Sequence, residues 1–504
     1  MSHPRRFRPA MAWLHTWAGL VVGWVLFAVF VTGTATYYKD DISRWMRPEL
    51  TQTSVDPASA ATLAGTYLAK QMAEPGGWYI GLPKPDMPLV EVYWWKTFAG
   101  PFHHALLDPT TGEPTRARAT QGGDFLYRFH FELGLPTLVG RWVVGACAMV
   151  LLIALISGIV THRRIFADFF TFRPDRSRQR AWLDAYNLFG VLALPFHLMI
   201  TYTGLITLAP MLMPWGVQSA YREDLPRYYV EAGLMPNGRM PAGRPAAGLP
   251  LAEIVRQAER DGGEVPEALT VMAPGDAAAT VTAAFEEPHG LAHLHPQIAY
   301  DAVTGAETGR NGTPGAATRT ATVMYGLHEA HFAAPALRML FLLCGALGAA
   351  TVASGLILWT VARAPRGADP AGFGLRLVRI LNIGTIAGLP TGIGTFFLAN
   401  RLLPLSLAER ASWEVGAFFG AWILVAVIGA LTPAKRAWTL TLGLAAAAFI
   451  AVVPADLILV GEARFVPFDL AMLAIATLLI VAARMATRPP APLARRAAAR
   501  MAQA

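Results

Sequence analysis

Eight apolar runs, each near the length that crosses a bilayer, set the first limit on this chain. A hydrocarbon core about 30 Å thick takes roughly 20 helical residues to span. The runs lie near Trp17–Tyr38, Val139–Val160, Leu183–Leu208, Ala336–Val361, Ile380–Leu398, Val415–Leu431, Trp438–Val453 and Val466–Ile480. With 504 residues, 54% hydrophobic and only 15% charged, the chain is too apolar for an ordinary soluble enzyme and too long for one domain. The expected fold class is therefore mainly α, a polytopic membrane protein of about eight transmembrane helices. Arg5, Arg6 and Arg8 precede the first run as in a signal peptide. That run is long and no small-x-small cleavage site follows it, so it reads as a retained helix.

The formal charge of +8 does not point to nucleic acid, because the Arg and Lys residues cluster just beyond the apolar runs. There they orient membrane segments. The clusters at Arg5–Arg8, Arg163–Arg180, Arg363–Arg379, Lys435-Arg436 and Arg488–Arg500 fall on alternate loops, which places both termini in the cytoplasm. The two long loops then lie on the opposite face, periplasmic in a bacterial cell. Their mixed charge, Pro and Gly punctuation and short β-type runs, such as Val90–Trp95 and Leu269–Met272, predict two small α+β domains. The expected organisation is membrane helices at 10–38, 137–162, 182–209 and 333–361, external domains at 39–136 and 210–326, a four-helix membrane extension at 376–484 and a basic tail at 485–504.

The front three-quarters of the chain repeats a helix–domain–helix unit. The first four spans carry hydroxyl–glycine pairs at Thr32-Gly33, Ser157-Gly158, Thr203-Gly204 and Ser354-Gly355. A shift of 171 puts His15 on Tyr186 and Thr32-Gly33 on Thr203-Gly204; a shift of 197 puts Cys147 on Cys344 and Ser157-Gly158 on Ser354-Gly355. Asp108–Gly112 echoes Asp301–Gly305 at a shift of 193, both as turns between strands. Close approach of helix backbones in lipid is a sufficient reason for the small-residue pairs.

Several of the twelve histidines lie within or at the ends of the first four spans, and none lies in the last four. Ionisable groups are expensive in a bilayer and mark pathways, relays or cofactors, and imidazole is a common axial ligand of haem iron. His15 and His162 belong at the inner surface. His130, His328 and His331 belong at the outer surface, with His197 in the outer half of its span, roughly 22 Å from the inner side at 1.5 Å per residue. Two groups at two depths suit two haems passing electrons across the membrane. His328 and His331, three apart, are expected on one helical face. His103, His104, His289, His293 and His295 read as solvated loop histidines. Cys147 and Cys344, both in apolar runs, make no disulfide framework, zinc site or iron–sulfur cluster.

The order Trp13-Leu-His15, Tyr127-Arg-Phe-His130, Gly140-Arg-Trp142, Ser157-Gly158 with His162-Arg163, Trp182–Asn187, Leu194-Pro-Phe-His197, Thr203-Gly204 and Gly326-Leu-His328 with His331 resembles the PepSY-associated transmembrane helix family. These are bacterial inner-membrane proteins that include reductases of siderophore-bound iron. The resemblance covers about residues 10–365. It implies PepSY external domains and b-type haems held by His15, His162, His130, His197, His328 and His331. Relatives commonly have histidine at the position of Tyr186, which leaves three arrangements open: Tyr186 ligates haem, Tyr186 packs beside a haem held by His15 and His162, or the inner haem is absent.

The resemblance thus implies an electron-transfer enzyme holding two haem b groups, with a ferric siderophore or another periplasmic acceptor. No dinucleotide-binding glycine loop or flavin motif is present, so a cytoplasmic reductase or quinol is the expected donor. The runner-up is a non-haem transporter or accessory protein for siderophore or metal uptake, its histidines lining a pathway. The last four spans, with Asn382, Asn400, Arg401 and Glu414 as polar landmarks, suggest no chemistry.

Overall fold

The computed structural model describes residues 4–51, 55–71, 76–84, 87–97, 100–161, 178–222, 224–288, 290–363, 372–461 and 464–487. In chain order the elements are α1 (Pro4–Thr36), α2 (Lys39–Trp45), α3 (Pro57–Ala69), β1 (Gly77–Gly81), β2 (Val90–Trp95), β3 (Phe102–Leu107), α4 (Gly122–Glu132), α5 (Thr137–Thr161), α6 (Arg178–Leu192), α7 (Leu194–Leu212), α8 (Trp215–Tyr221), α9 (Leu225–Glu231) and α10 (Leu251–Gly262). Then follow β4 (Ala268–Met272), β5 (Thr280–Ala284), β6 (Gln297–Asp301), β7 (Glu307–Arg310), α11 (Ala316–Glu329), α12 (Pro335–Ala362), α13 (Phe373–Ile386), α14 (Gly388–Leu402), α15 (Arg410–Leu431), α16 (Ala434–Val460) and α17 (Val466–Thr487).

Eight helical segments among the described residues are long and apolar enough to cross a membrane: Pro9–Thr36, Thr137–Val160, Leu194–Tyr221, Pro335–Ala362, Phe373–Leu402, Arg410–Leu431, Arg436–Val460 and Val466–Ala486. Their number matches the eight apolar runs. Two of those runs are broken. The run at Leu183–Leu208 is two helices, α6 and α7, parted at Ala193, because the Pro195 ring cannot donate to the carbonyl of residue 191 and clashes with it. Pro390 acts in the same way at Ala387, between α13 and α14.

The chain divides into two compact units. The helical unit takes residues 1–47, 119–208 and 333–504. In it α1 packs against α5 and α12, and α12 against α6. The loop helices α2 and α4 belong to this unit and not to an external domain, so the first loop contributes only Pro48–Arg118 to the other unit. The reason is their composition: Ile42, Trp45, Met46, Phe125, Leu126 and Phe129 are buried in one aromatic-rich core with Phe396, Phe397 and Phe418 of the C-terminal helices. Trp45 stacks on Phe468 with ring centroids 4.2 Å apart. The C-terminal helices thus share a core with the front of the chain.

That shared core carries a polar network. The Arg401 guanidinium lies 3.6 Å from the Trp45 ring centroid and donates to Asp456 (2.6 Å), to Asn400 (2.6 Å) and to the Trp45 carbonyl (2.6 Å). Arg410 pairs with Glu414 and donates to the Ala119 carbonyl at 3.0 Å, while Asn400 donates to Glu414 at 2.8 Å. All four charged side chains are fully buried. Buried charge persists only when paired and hydrogen-bonded, which accounts for these polar landmarks as structural members.

The second unit takes residues 48–118 and 209–332. It holds one seven-stranded antiparallel sheet in the order β3-β2-β1-β4-β5-β6-β7. Each loop supplies a helix and then its strands, α3 with β1–β3 and α10 with β4–β7. The two expected domains are therefore one body, because β1 pairs with β4 from Gly77↔Met272 to Gly81↔Ala268. Alternating residues of the strands, including Ile80, Val92, Leu107, Leu269, Val281 and Tyr300, pack with Ala61, Ala64, Leu68, Ile254, Val255 and Ala258 of the two helices.

Both Asp-to-Gly turns are built alike. The Asp108 carboxylate accepts from the Thr110 and Thr111 amides, and Gly112 (φ 70°) returns its N–H to the Asp108 carbonyl at 2.8 Å. The Asp301 carboxylate accepts from Val303 and Thr304 at 2.9 Å each, and Gly305 (φ 75°) bonds the Asp301 carbonyl at 2.9 Å. A positive φ at the last position is the conformation glycine adopts without a Cβ penalty.

Candidate functional site

The histidines of the helical unit gather at two levels of α1. Near its N-terminal end, His15 Nδ1 bonds the Ala154 carbonyl of α5 at 2.9 Å, and His15 Nε2 meets the Tyr186 hydroxyl of α6 at 2.7 Å. Ser157 Oγ lies 3.4 Å from His15 Nδ1. Near the C-terminal end of α1, His130 Nδ1 bonds the Val29 carbonyl at 2.8 Å. His197 sits against Phe30 with ring centroids 5.6 Å apart, and its Nε2 bonds the Cys344 carbonyl at 3.2 Å. His15 and the turn at residues 29–33 are 14 to 18 residues apart on one helix, roughly 21–27 Å at 1.5 Å per residue.

Each of these rings rests on a glycine. A Cβ built on Gly158 would lie 3.3 Å from His15, one on Gly355 3.1 Å from Tyr186, one on Gly33 2.5 Å from His130 and one on Gly348 3.1 Å from His197 Nε2. Three of these glycines belong to the hydroxyl–glycine pairs, so the pairs do more than let helix backbones approach. They admit an imidazole or phenol edge-on. The paired hydroxyls are spent locally: Thr32, Ser157 and Ser354 donate to carbonyls of their own helices at 2.7, 3.0 and 2.9 Å. His15 on Gly158 and Tyr186 on Gly355 are the positions related by the 171 and 197 offsets.

Lone pairs follow from the carbonyl bonds. A neutral imidazole that donates from one nitrogen presents the other as an acceptor or ligand. His15 and His130 donate from Nδ1, which leaves the lone pair on Nε2, at His15 facing the Tyr186 hydroxyl; His197 donates from Nε2 and keeps its lone pair on Nδ1. An imidazole held by its second N–H on a carbonyl is the arrangement of metal-ligating histidines. Burial pushes the His130 pKa below the ordinary histidine value, outweighing the opposing bond to Val29, and the neutral form is the one that ligates metal. Thr201, one turn along α7 from the buried His197, has its hydroxyl buried with no hydrogen-bond partner. An orphaned hydroxyl beside an imidazole fits a polar group bound there.

Haem therefore fits the level of His130 and His197 by donor chemistry. At the His15 level the Tyr186 hydroxyl caps Nε2, and the two atoms touch. They are not the two opposed ligands of one iron in this arrangement, and ligation at His15 Nε2 requires the phenol to move aside. His162, expected as its companion, lies outside the described residues. So do His289 and the basic residues Arg163, Arg164, Arg173 and Arg176.

His328 and His331 do not share a helical face. α11 ends at Glu329, and Ala330 (φ 58°) turns the chain, leaving His328 on the helix and His331 beyond it. His331 belongs to the sheet-bearing unit, where it joins Glu287 and His293. His293, expected to be a solvated loop histidine, packs 5.4 Å from His295 and 5.6 Å from His331 between ring centroids. His103 and His104 are exposed, but on strand β3 and not in a loop, His103 stacked on Trp94 and His104 bonded to Glu91 at 3.0 Å. Glu287 carried no signal in the sequence, and of the four-residue ion-pair network only Arg401 and Glu414 stood out as polar landmarks, since a carboxylate in a loop and isolated charges in apolar runs acquire partners only through the fold.

The profile of the PepSY-associated TM region matches residues 12–362. The chain belongs to the PepSY-associated transmembrane family. It is also 29% identical over 399 residues to an uncharacterized protein of Pseudomonas aeruginosa, a match covering 73% of this chain and 96% of that one. The matched region of the PepSY-associated family takes in both levels of histidines and both halves of the sheet, and it ends where α12 ends.

Proposed function

We propose that this chain is a haem b electron-transfer protein of the bacterial inner membrane. It reduces ferric iron, siderophore-bound in the leading case, at the periplasmic face with electrons from a cytoplasmic reductase or quinol. The observation that carries the reading is the pair of histidine levels at opposite ends of α1, each ring anchored on a backbone carbonyl and seated on a glycine. Lone imidazoles at such depths are costly without a partner, and a relay across the bilayer needs one centre near each face.

His15, with His162, would serve the cytoplasmic level, and His130 and His197 the periplasmic one, with His328 the further candidate from the family resemblance. Haem supplies reversible one-electron chemistry at each level. The protein's own residues do the rest: Ala154, Val29 and Cys344 fix the imidazole tautomers, the glycines set the ring planes, and the apolar helices exclude water. One electron enters the ferric complex for each iron released. Fe(III) becomes Fe(II), and an oxygen-rich chelator holds the softer, less charged ion far less well.

The test is spectral and then kinetic. Purified protein should be red, with a reducible b-type spectrum and an iron-to-chain ratio near the number of occupied levels. Dithionite-reduced protein should be reoxidised by a ferric siderophore, with Fe(II) captured by a ferrous-specific chelator. A colourless protein carrying no haem overturns the reading in favour of a transporter or accessory protein for siderophore or metal uptake.

A further inference from the structure

We propose that Glu287, His293 and His331, with Glu329 as a fourth donor, form a binding site for a divalent transition-metal ion of the zinc type. The site lies wholly within the sheet-bearing unit and is independent of the haem reading. One ligand atom from each of Glu287, His293 and His331 falls within 4.8 Å of the others. His331 Nδ1 lies 3.6 Å from Glu287 Oε2, and Glu329 Oε2 stands 3.6 Å from His293 Nδ1 and 3.7 Å from His331 Nε2. Tetrahedral ligands about 2.1 Å from zinc stand roughly 3.4 Å apart, close to the Glu287–His331 and Glu329–His293 separations; His331 would ligate through one nitrogen, the Nδ1 that faces Glu287, with Glu329 turning toward that side to complete the set.

Glu287 Oε1 and His293 Nδ1 meet as an ion pair, and both atoms are buried. A bound dication would replace that direct contact, the carboxylate and the imidazole parting to ligate it from two sides. The backbone holds them ready. His293 N–H donates to the Thr322 carbonyl at 2.9 Å, Gly326 lets the Leu291 carbonyl approach α11 closely, and the turn at Ala330 brings His331 back toward the loop. His331 is half-exposed, which provides an entry path. Two imidazoles with carboxylate favour a borderline dication over calcium or magnesium, which take all-oxygen shells.

The experiment uses the full-length, tag-free protein in detergent, stripped with EDTA, loaded with Zn2+ and desalted. Metal analysis and calorimetric titration should find one tightly held zinc per chain, undisturbed by millimolar Mg2+ or Ca2+. Glu287→Gln and His331→Asn should each weaken binding about tenfold or more, whereas His103→Asn, on exposed β3, should leave it unchanged. Co2+ substitution should give visible bands that His331→Asn abolishes. His331 is half-exposed beyond a helix end, so its variant tests the site without threatening the fold. No retained zinc, or zinc affinity unchanged from the parent protein in both ligand variants, overturns the proposal.

Discussion

His15 and Tyr186, 171 residues apart in sequence, are joined by a 2.7 Å hydrogen bond between Nε2 and the phenol. The bond sets the inner histidine's lone pair against a hydroxyl, and each ring rests on a glycine of the opposite long helix, His15 on Gly158 and Tyr186 on Gly355. Tyr186→Phe removes the hydroxyl and keeps the ring. Its expected effects are a stability change of about 1 kcal/mol and higher haem occupancy at the inner level, read from the haem-to-protein ratio. Tyr186→His should raise occupancy or shift one centre's potential upward. Unchanged stoichiometry, spectrum and potential in both variants would make Tyr186 a packing residue only.

The glycine seats differ in tightness, and substitutions should follow that order. A Cβ at Gly33 would fall 2.5 Å from the His130 ring, against 3.3 Å for Gly158 and His15. Gly33→Ala should cost about 1–3 kcal/mol through overpacking and lower the haem content assigned to His130, whereas Gly158→Ala should cost less. Thermal unfolding with the haem spectrum as probe measures both.

Asp456 is the partner of a fully buried guanidinium. Asp456→Ala removes the carboxylate to which the buried Arg401 Nε donates, at an expected cost of about 3–5 kcal/mol. The double variant Arg401→Met with Asp456→Leu should recover most of that loss. Equal instability of single and double variants would show that the arginine's stacking on Trp45 matters more than the ion pair.

The sheet-bearing unit should lose stability in acid through Asp301. Burial raises the Asp301 pKa, but the bond from Arg239 and the Val303 and Thr304 amides outweigh it, leaving a pKa of about 2. A carboxylate depressed in the folded state stabilises above its ordinary value of 3.8, and that contribution is lost as pH falls toward 2. Asp301→Asn should lower stability at neutral pH and converge with the parent protein as pH falls toward 2, flattening the acid limb of the unfolding profile.

Much of this architecture was legible in the sequence, and the exceptions have physical reasons. Apolar run length reveals the eight spans because bilayer thickness fixes helix length directly. Strand β2 was readable at Val90–Trp95 because β-branched and aromatic residues cluster there. The fusion of the two loops into one sheet was not readable: β1 and β4 are nearly two hundred residues apart, and nothing local distinguishes an edge strand from one awaiting a partner. α2 and α4 look like loop helices until their aromatic faces are placed against Phe396 and Phe418. The histidine levels could be read from depth along each span. Their glycine seats could not, because a small residue signals closeness without saying to what. Glu287 escaped notice for the converse reason, since a carboxylate gains meaning as a ligand only once His293 and His331 are beside it.

The β1–β4 pairing also has a consequence for biosynthesis. When the first loop has left the ribosome, α3 and β1–β3 exist, but the backbone donors and acceptors along β1 have no partner until residues 268–272 are made. During that interval the half-sheet carries an open, largely apolar edge, the kind of surface that pairs with whatever strand it meets. Completion waits for α5 and the broken span of α6 and α7 to be synthesised and inserted, so the sheet-bearing unit matures only after two more membrane segments are in place. The order in which the helices enter the bilayer thus becomes the timetable on which the sheet closes.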